Sequence, residues 1–245
     1  MKRLLLYCTL LVLLFGTSVK AEAAGKFNQF VAFGDSTLDS GYFRYTSTGN
    51  PAVDAALRAA IAAGAQGGFA GPGVMTSTML AARFGLGAEA VSMGGSNYAN
   101  GATYTTSLLA PGAAISASGS LPGNVSTIQQ ISNYLASTGG VANPDALYVI
   151  NTGNNDLLFV ERQSAAWIAA NPGFLNGVAS QLAVAVAALQ AAGARYIIVP
   201  NTFYTSALMG PGGGIPDSNA EAYARAIAYG HAKWAALSAA GFQFI

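Results

Sequence analysis

Three short segments carry, in chain order, the residue types that an acyl-transfer reaction needs. Gly34-Asp35-Ser36 offers a hydroxyl nucleophile and, on the same residue, a backbone N–H free to donate. Asn97-Tyr98-Ala99-Asn100-Gly101 offers a glycine, which lets a backbone N–H approach a ligand closely. Gly153-Asn154-Asn155-Asp156 offers a side-chain amide at Asn155 and, at Asp156, a carboxylate that can hold the loop by accepting backbone N–H groups. Taken singly, each segment also reads as ordinary loop chemistry: an Asp-Ser helix cap, a turn glycine, an Asn-rich turn capping the next helix. Taken together they supply a nucleophile, a backbone donor and an amide donor, the set that stabilises a tetrahedral intermediate.

Each segment follows an apolar run that must position it. Phe30–Phe33 ends at Gly34, Ala90–Met93 ends at Gly94-Gly95, and Ala146–Ile150 leads into the third segment. Tyr196–Val199 is a further run, and Phe242–Ile245 begins another. Continuous apolar runs suit strands buried on both faces of a parallel sheet. Between them, Val178, Leu182, Val186 and Leu189 repeat at helical spacing up to Gly193, and Ile128, Ile131 and Leu135 repeat likewise. Ser218-x-x-Glu221 is a capping box that predicts a helix from Asn219 to Ala240, with Tyr223, Ile227, Trp234 and Leu237 as its apolar face. The alternation predicts an α/β domain with helices on both faces of a parallel sheet of about five strands, functional loops lying at the strands' carboxyl ends. The stretches Thr103–Gly123 and Leu208–Pro216 read as mobile surface loops.

Composition bounds the rest. With 245 residues, 52% hydrophobic and only 9% charged, the chain can bury a sizeable core and suits one domain. Lys2-Arg3, the apolar run Leu4–Phe15 and Ala21-Glu22-Ala23 have the order of a secretory signal, residues 1–23, leaving 24–245 as the domain. The apolar run is too short to cross a hydrocarbon core of roughly 30 Å. Removing the signal lowers Lys plus Arg from 11 to 8 and leaves a net charge near −1, with no basic stripe to attract nucleic acid. The single cysteine, Cys8, lies in the signal, so the exported chain has no disulfide, thiol nucleophile or Cys-based metal site. Export without disulfides points to a bacterial source.

On its three blocks the sequence resembles the GDSL family of esterases and lipases, also called SGNH hydrolases. The resemblance runs from Phe27 to the end and is greatest to the plant-like and autotransporter-passenger branch. It implies a three-layer, flavodoxin-like fold and places the family's nucleophile on Ser36, its block-two glycine on Gly101 and its oxyanion asparagine on Asn155. It implies that Ser36 attacks an ester carbonyl while the N–H groups of Ser36 and Gly101 and the Asn155 amide hold the oxyanion, each donor typically worth roughly 2.7–4 kcal/mol. The implied substrate is a small-molecule, lipid or glycan ester, with no cofactor and no metal. The branch also implies a C-terminal outer-membrane barrel in the full-length protein, and a secreted, periplasmic or outer-membrane-associated location.

The family's last block, Asp-x-x-His, has no counterpart here. The only histidine is His231, inside a predicted helix, and Ala228 stands three residues before it. The expectation is therefore a domain that is incomplete at its C-terminus and nearly inactive as an esterase. Loss of the base in an unrelated serine hydrolase costs on the order of 10⁶ in turnover. The alternative is a catalytically inactive protein of the same fold that binds a glycan or lipid through Tyr42, Tyr45, Tyr98 and Tyr104. An α/β-hydrolase is disfavoured because Gly94-Gly95-Ser96-Asn97-Tyr98 lacks the closing glycine of Gly-x-Ser-x-Gly. No phosphate-binding Gly-Lys-Ser/Thr occurs.

Overall fold

The computed structural model describes residues 26–65, 74–107, 121–202 and 220–242. The signal segment, the loop 208–216, Ser218 and residues 243–245 lie outside the described residues. The chain is a mixed helix-and-sheet structure around a parallel sheet of β1 (Gln29–Gly34), β2 (Ala146–Asn151) and β3 (Tyr196–Ile198), in that spatial order. The helices are α1 (Pro51–Ala62), α2 (Thr76–Ala82), α3 (Thr127–Ser137), α4 (Asn154–Glu161), α5 (Ala165–Ala170), α6 (Phe174–Ala191) and α7 (Ala220–Ala239).

β1 and β2 are buried almost throughout, which is why they read as unbroken apolar runs. Alternate residues feed two separate clusters. Val31, Phe33, Tyr148 and Ile150 pack with Ile131 and Tyr134 of α3 and with Leu182, Val186 and Leu189 of α6. Phe30, Ala32, Leu147 and Val149 pack with Leu38, Ala81 and Ala99. α6 is the one helix among the described residues long and apolar enough to cross a membrane. Here its Val178-Leu182-Val186-Leu189 stripe is buried and the helix stops before Gly193, as its periodicity predicts.

Beside β1 runs an irregular strip rather than a strand. The Tyr98 N–H donates to Ala32 O at 2.8 Å, the Ala32 N–H to Ser96 O at 3.3 Å and the Asn100 N–H to Gly34 O at 3.1 Å. Ala90 bridges Asn97 on the far side of that strip, but Val91–Met93 is a 3-10 turn. The strand expected over Ala90–Met93 therefore shrinks to one bridging residue. The Met93 N–H bonds back to Ala90 O at 2.8 Å, and that local turn replaces the ladder.

Two further expectations are corrected. Thr103, Thr105 and Thr106, at the head of the supposed surface loop, are fully buried and held by hydrogen bonds. Residues 108–120 of that loop lie outside the described residues. In α7, Ile227 and Trp234 are 42% and 58% exposed, while Ala226, Tyr229, Lys233 and Leu237 form the buried stripe. The helix is turned because Tyr229 packs against Val178 and Ala179 of α6 and Lys233 reaches the strand ends, which leaves Ile227 and Trp234 outward.

Candidate active site

The three predicted segments meet at one edge of the sheet. Ser36 follows the carboxyl end of β1, Gly101 ends the strip beside it, and Asn155 lies in the first turn of α4, directly after β2. Gly34 and Gly153 shape the two turns. Gly34 has φ +140°, and a Cβ there would stand 1.9 Å from Asn151 O. Gly153, with φ +106°, is pressed against the Tyr229 ring, 2.7 Å from where a Cβ would be. Gln130 of α3 grips β1's end from below: it accepts from the Gly34 N–H at 2.7 Å and donates to Gly34 O at 3.0 Å and to Val125 O at 2.8 Å.

Around Ser36 the turn is held by side-chain hydrogen bonds. Asp35 is 1% exposed and its Oδ1 accepts from the Thr37 N–H at 3.0 Å and the Thr37 hydroxyl at 2.7 Å. The Asn151 amide donates to Thr37 Oγ1 at 2.7 Å. Asp39 accepts the N–H groups of Gly41 and Tyr42, both at 2.8 Å. Ser36 itself is half-buried, and neither its hydroxyl nor its backbone N–H has a hydrogen-bond partner among the described residues.

The two partner residues are placed differently from a set of free donors. The Gly101 N–H donates to Asp39 Oδ2 at 2.8 Å, so it is committed inside the protein. Asn155 donates through Nδ2 to Thr103 O at 2.9 Å. Asp156 holds its loop as expected, its Oδ2 accepting from the Thr105 N–H at 2.9 Å and the Thr105 hydroxyl at 2.8 Å. His231 is exposed on α7, two residues from Lys233, on the wall of a cavity of about 770 Å³ that Asn201 and Trp234 also line.

Sequence reasoning missed Lys233, which is 3% exposed. Its ammonium donates to Thr152 O and Pro200 O, each at 3.2 Å, and to Thr202 Oγ1 at 3.0 Å, tying the end of β2 to the segment after β3. Burial pushes its pKa down to about 8, against the pull of Asp156 and Asp35. Its signal was visible: Tyr229, Lys233 and Leu237 share one helical stripe, so a lysine stands in register with core residues. Asp39 was missed too, because nothing in the spacing of residues 35–41 shows that it reaches Gly101.

Burial also raises the two carboxylates. Asp35 is raised by desolvation, opposed by its Thr37 bonds and by Lys233. Asp156 is raised from 3.8 to about 6, again by desolvation, opposed by Thr105. In the interval between those two values the folded chain binds more protons than the unfolded one, so this group's contribution to stability falls as pH rises through it. Asp156→Asn keeps an acceptor for the Thr105 N–H. It is expected to remove that slope, so that urea midpoints measured across the interval run flatter than in the wild type.

No protein-family model matches the chain, and no curated protein matches it closely enough to count as a relative. Ser36, Gly101 and Asn155 stand on neighbouring segments at one end of the sheet; Ser36 lacks a hydrogen-bond partner among the described residues, and the Gly101 N–H and Asn155 amide are bonded to Asp39 and Thr103.

Proposed function

We propose that this chain is an exported serine ester hydrolase domain of the GDSL (SGNH) type, with Ser36 as nucleophile. The observation that carries the reading is Ser36 itself. Asp35, Thr37, Asp39 and Asn151 are each hydrogen-bonded to the turn around it, while its own hydroxyl and N–H have no partner among the described residues and are left for a substrate. The Ser36 N–H and the Asn155 amide are the oxyanion donors in this reading. Gly101 joins them when Asp39 releases its N–H. The strips at 89–91 and 96–100 support a larger, five-stranded, flavodoxin-like sheet, since both continue the parallel hydrogen bonding outward from β1. Ester substrates of small molecules, lipids or glycans all fit a nucleophile without a cofactor.

The test is covalent labelling of the full-length gene product with a fluorophosphonate. Labelling is expected on Ser36, lost in Ser36→Ala and slowed about 100-fold in Asn155→Ala. Labelling that persists in Ser36→Ala sinks the reading.

One observation favours a second reading, a catalytically inactive glycan- or lipid-binding protein of the same fold. Two of the oxyanion donors named by the sequence are already occupied by Asp39 and Thr103, and no group among the described residues is bonded to the Ser36 hydroxyl as a base. Absence of labelling in a folded full-length product supports it. Its tyrosines are not equivalent: Tyr45 is 74% exposed, whereas Tyr98 packs on Phe33 and Tyr134 at 5.6 and 5.9 Å and belongs to the core side of the sheet.

A further inference from the structure

Four aromatic residues from four parts of the chain meet beside the helix that carries Asn155. Asn155 and Phe159 stand four residues apart on α4, on one helix face and separated by a rise of roughly 6 Å. Thr103, whose carbonyl accepts the Asn155 amide, is followed by Tyr104, and the Tyr104 ring meets Phe159 edge-on at 5.9 Å. Phe159 then meets Trp167 and Phe174, each at 5.6 Å, and those two meet each other at 5.5 Å. Trp167 is fixed by the cap of α5, where Ser164 Oγ accepts its N–H at 3.1 Å.

These rings lie at the margin of the core, with Phe174 packed against the buried Val178, Ala179 and Tyr229. Phe30, Phe33 and Tyr148 are at most 1% exposed, whereas Tyr104, Phe159, Trp167 and Phe174 are all half-buried. Half-exposed aromatic rings in contact keep apolar surface in water that a ligand can cover. Phe174 also lines a cavity of about 120 Å³ together with Val160, Ile168 and Leu175, with Asn171 and Arg225 among its polar lining.

We infer that Tyr104, Phe159, Trp167 and Phe174 form the subsite for the apolar acyl chain of the ester that Ser36 attacks. The inference rests on the esterase reading and adds its substrate class: esters of medium-length fatty acids rather than acetyl esters. The occupant follows from continuity. The wall starts one helical turn from the oxyanion asparagine and runs away from it as an unbroken line of rings, so a chain attached to the reacting carbonyl lies along it. A sugar needs several polar side chains to meet its hydroxyls. In the ring wall only the Tyr104 hydroxyl and the Trp167 indole N–H are polar.

The test uses the full chain with Trp234→Phe, which leaves Trp167 as the only tryptophan. Its emission is titrated with sodium octanoate and, separately, with sodium acetate. A saturable change with octanoate and none with acetate is expected, unaltered by Ser36→Ala. Phe159→Ala is expected to weaken octanoate binding by about tenfold or more. Tyr104→Ala, at the end of the wall next to Thr103, is expected to weaken it several-fold and serves if the first variant fails to fold. Equal responses to octanoate and acetate, no saturable response, or unchanged octanoate binding in a folded variant overturn the subsite. Fluorophosphonate labelling read on the same samples separates the two ideas. Octanoate binding beside an unlabelled Ser36 supports the subsite and sinks the esterase reading. Labelling of Ser36 with no octanoate response sinks the subsite alone.

Discussion

Gly34→Ala is expected to cost about 4 kcal/mol or more, a loss reserved for few single substitutions. Gly34 is the last residue of β1 and pairs with Asn151 of β2. Its φ of +140° lies where side chains are rarely tolerated, and an added Cβ would sit 1.9 Å from the Asn151 carbonyl oxygen. That oxygen cannot move away freely, because it accepts the Asp35 N–H at 3.2 Å. Nor can Gly34 move: Gln130 and Asn100 hold both of its backbone polar groups. Relief must therefore come from parting β1 and β2 at the point where the Ser36 turn begins. For a domain of this size the thermal midpoint is expected to fall by about 10 °C or more. Gly85→Ala is the control. Its φ is +71° but nothing lies within 4 Å of the new Cβ, so only the backbone term remains, about 1 kcal/mol. Equal losses in the two variants would show that the Asn151 contact is not the cause.

Lys233→Met is expected to destabilise the fold by about 3–5 kcal/mol, the range for breaking a buried charge set by removing one partner. The methionine fills most of the volume but leaves Thr152 O and Pro200 O without the ammonium. It also leaves Asp35 and Asp156 without the nearby cation that moderates their burial. The pH profile distinguishes this cause from lost packing. Burial lets the folded Lys233 give up its proton at about 8, against 10.5 for an ordinary lysine in the unfolded chain. Between those values the unfolded chain binds more protons, so wild-type stability gains from Lys233 as pH rises through the window, and below it the contribution is constant. The variant is expected to lack that rise. Denaturation midpoints measured across the window check it, and an unchanged slope would show that the lysine titrates as though exposed.

Local pattern made much of the sheet legible. Phe30–Phe33 and Ala146–Ile150 read as strands because both faces of β1 and β2 are covered, so every residue of the runs must be apolar. Tyr196–Val199 was read the same way although β3 is short and partly exposed. Ala90–Met93 failed because a four-residue run before two glycines can close on itself, and the bond from Met93 to Ala90 does so. The loop from Thr103 looked like surface because threonine and serine are polar. Its first residues, Thr103 and Thr105, are buried because Asn100 and Asp156, across a turn or distant in sequence, supply their partners.

By themselves the residues determine where the chain turns and which groups stand at the turns. The β1 and β2 runs and the buried stripe of α6 follow from local sterics and periodicity. Only the tertiary structure decides which donors are free and which charges are buried. It gives the Gly101 N–H to Asp39 and leaves Ser36 without a partner among the described residues. It turns α7 so that Lys233, not Trp234, enters the interior. The reason is that a hydrogen bond needs its acceptor within about 3 Å. The carbonyls of Thr152 and Pro200 reach the Lys233 ammonium from points 81 and 33 residues away along the chain, and the fold alone brings them there.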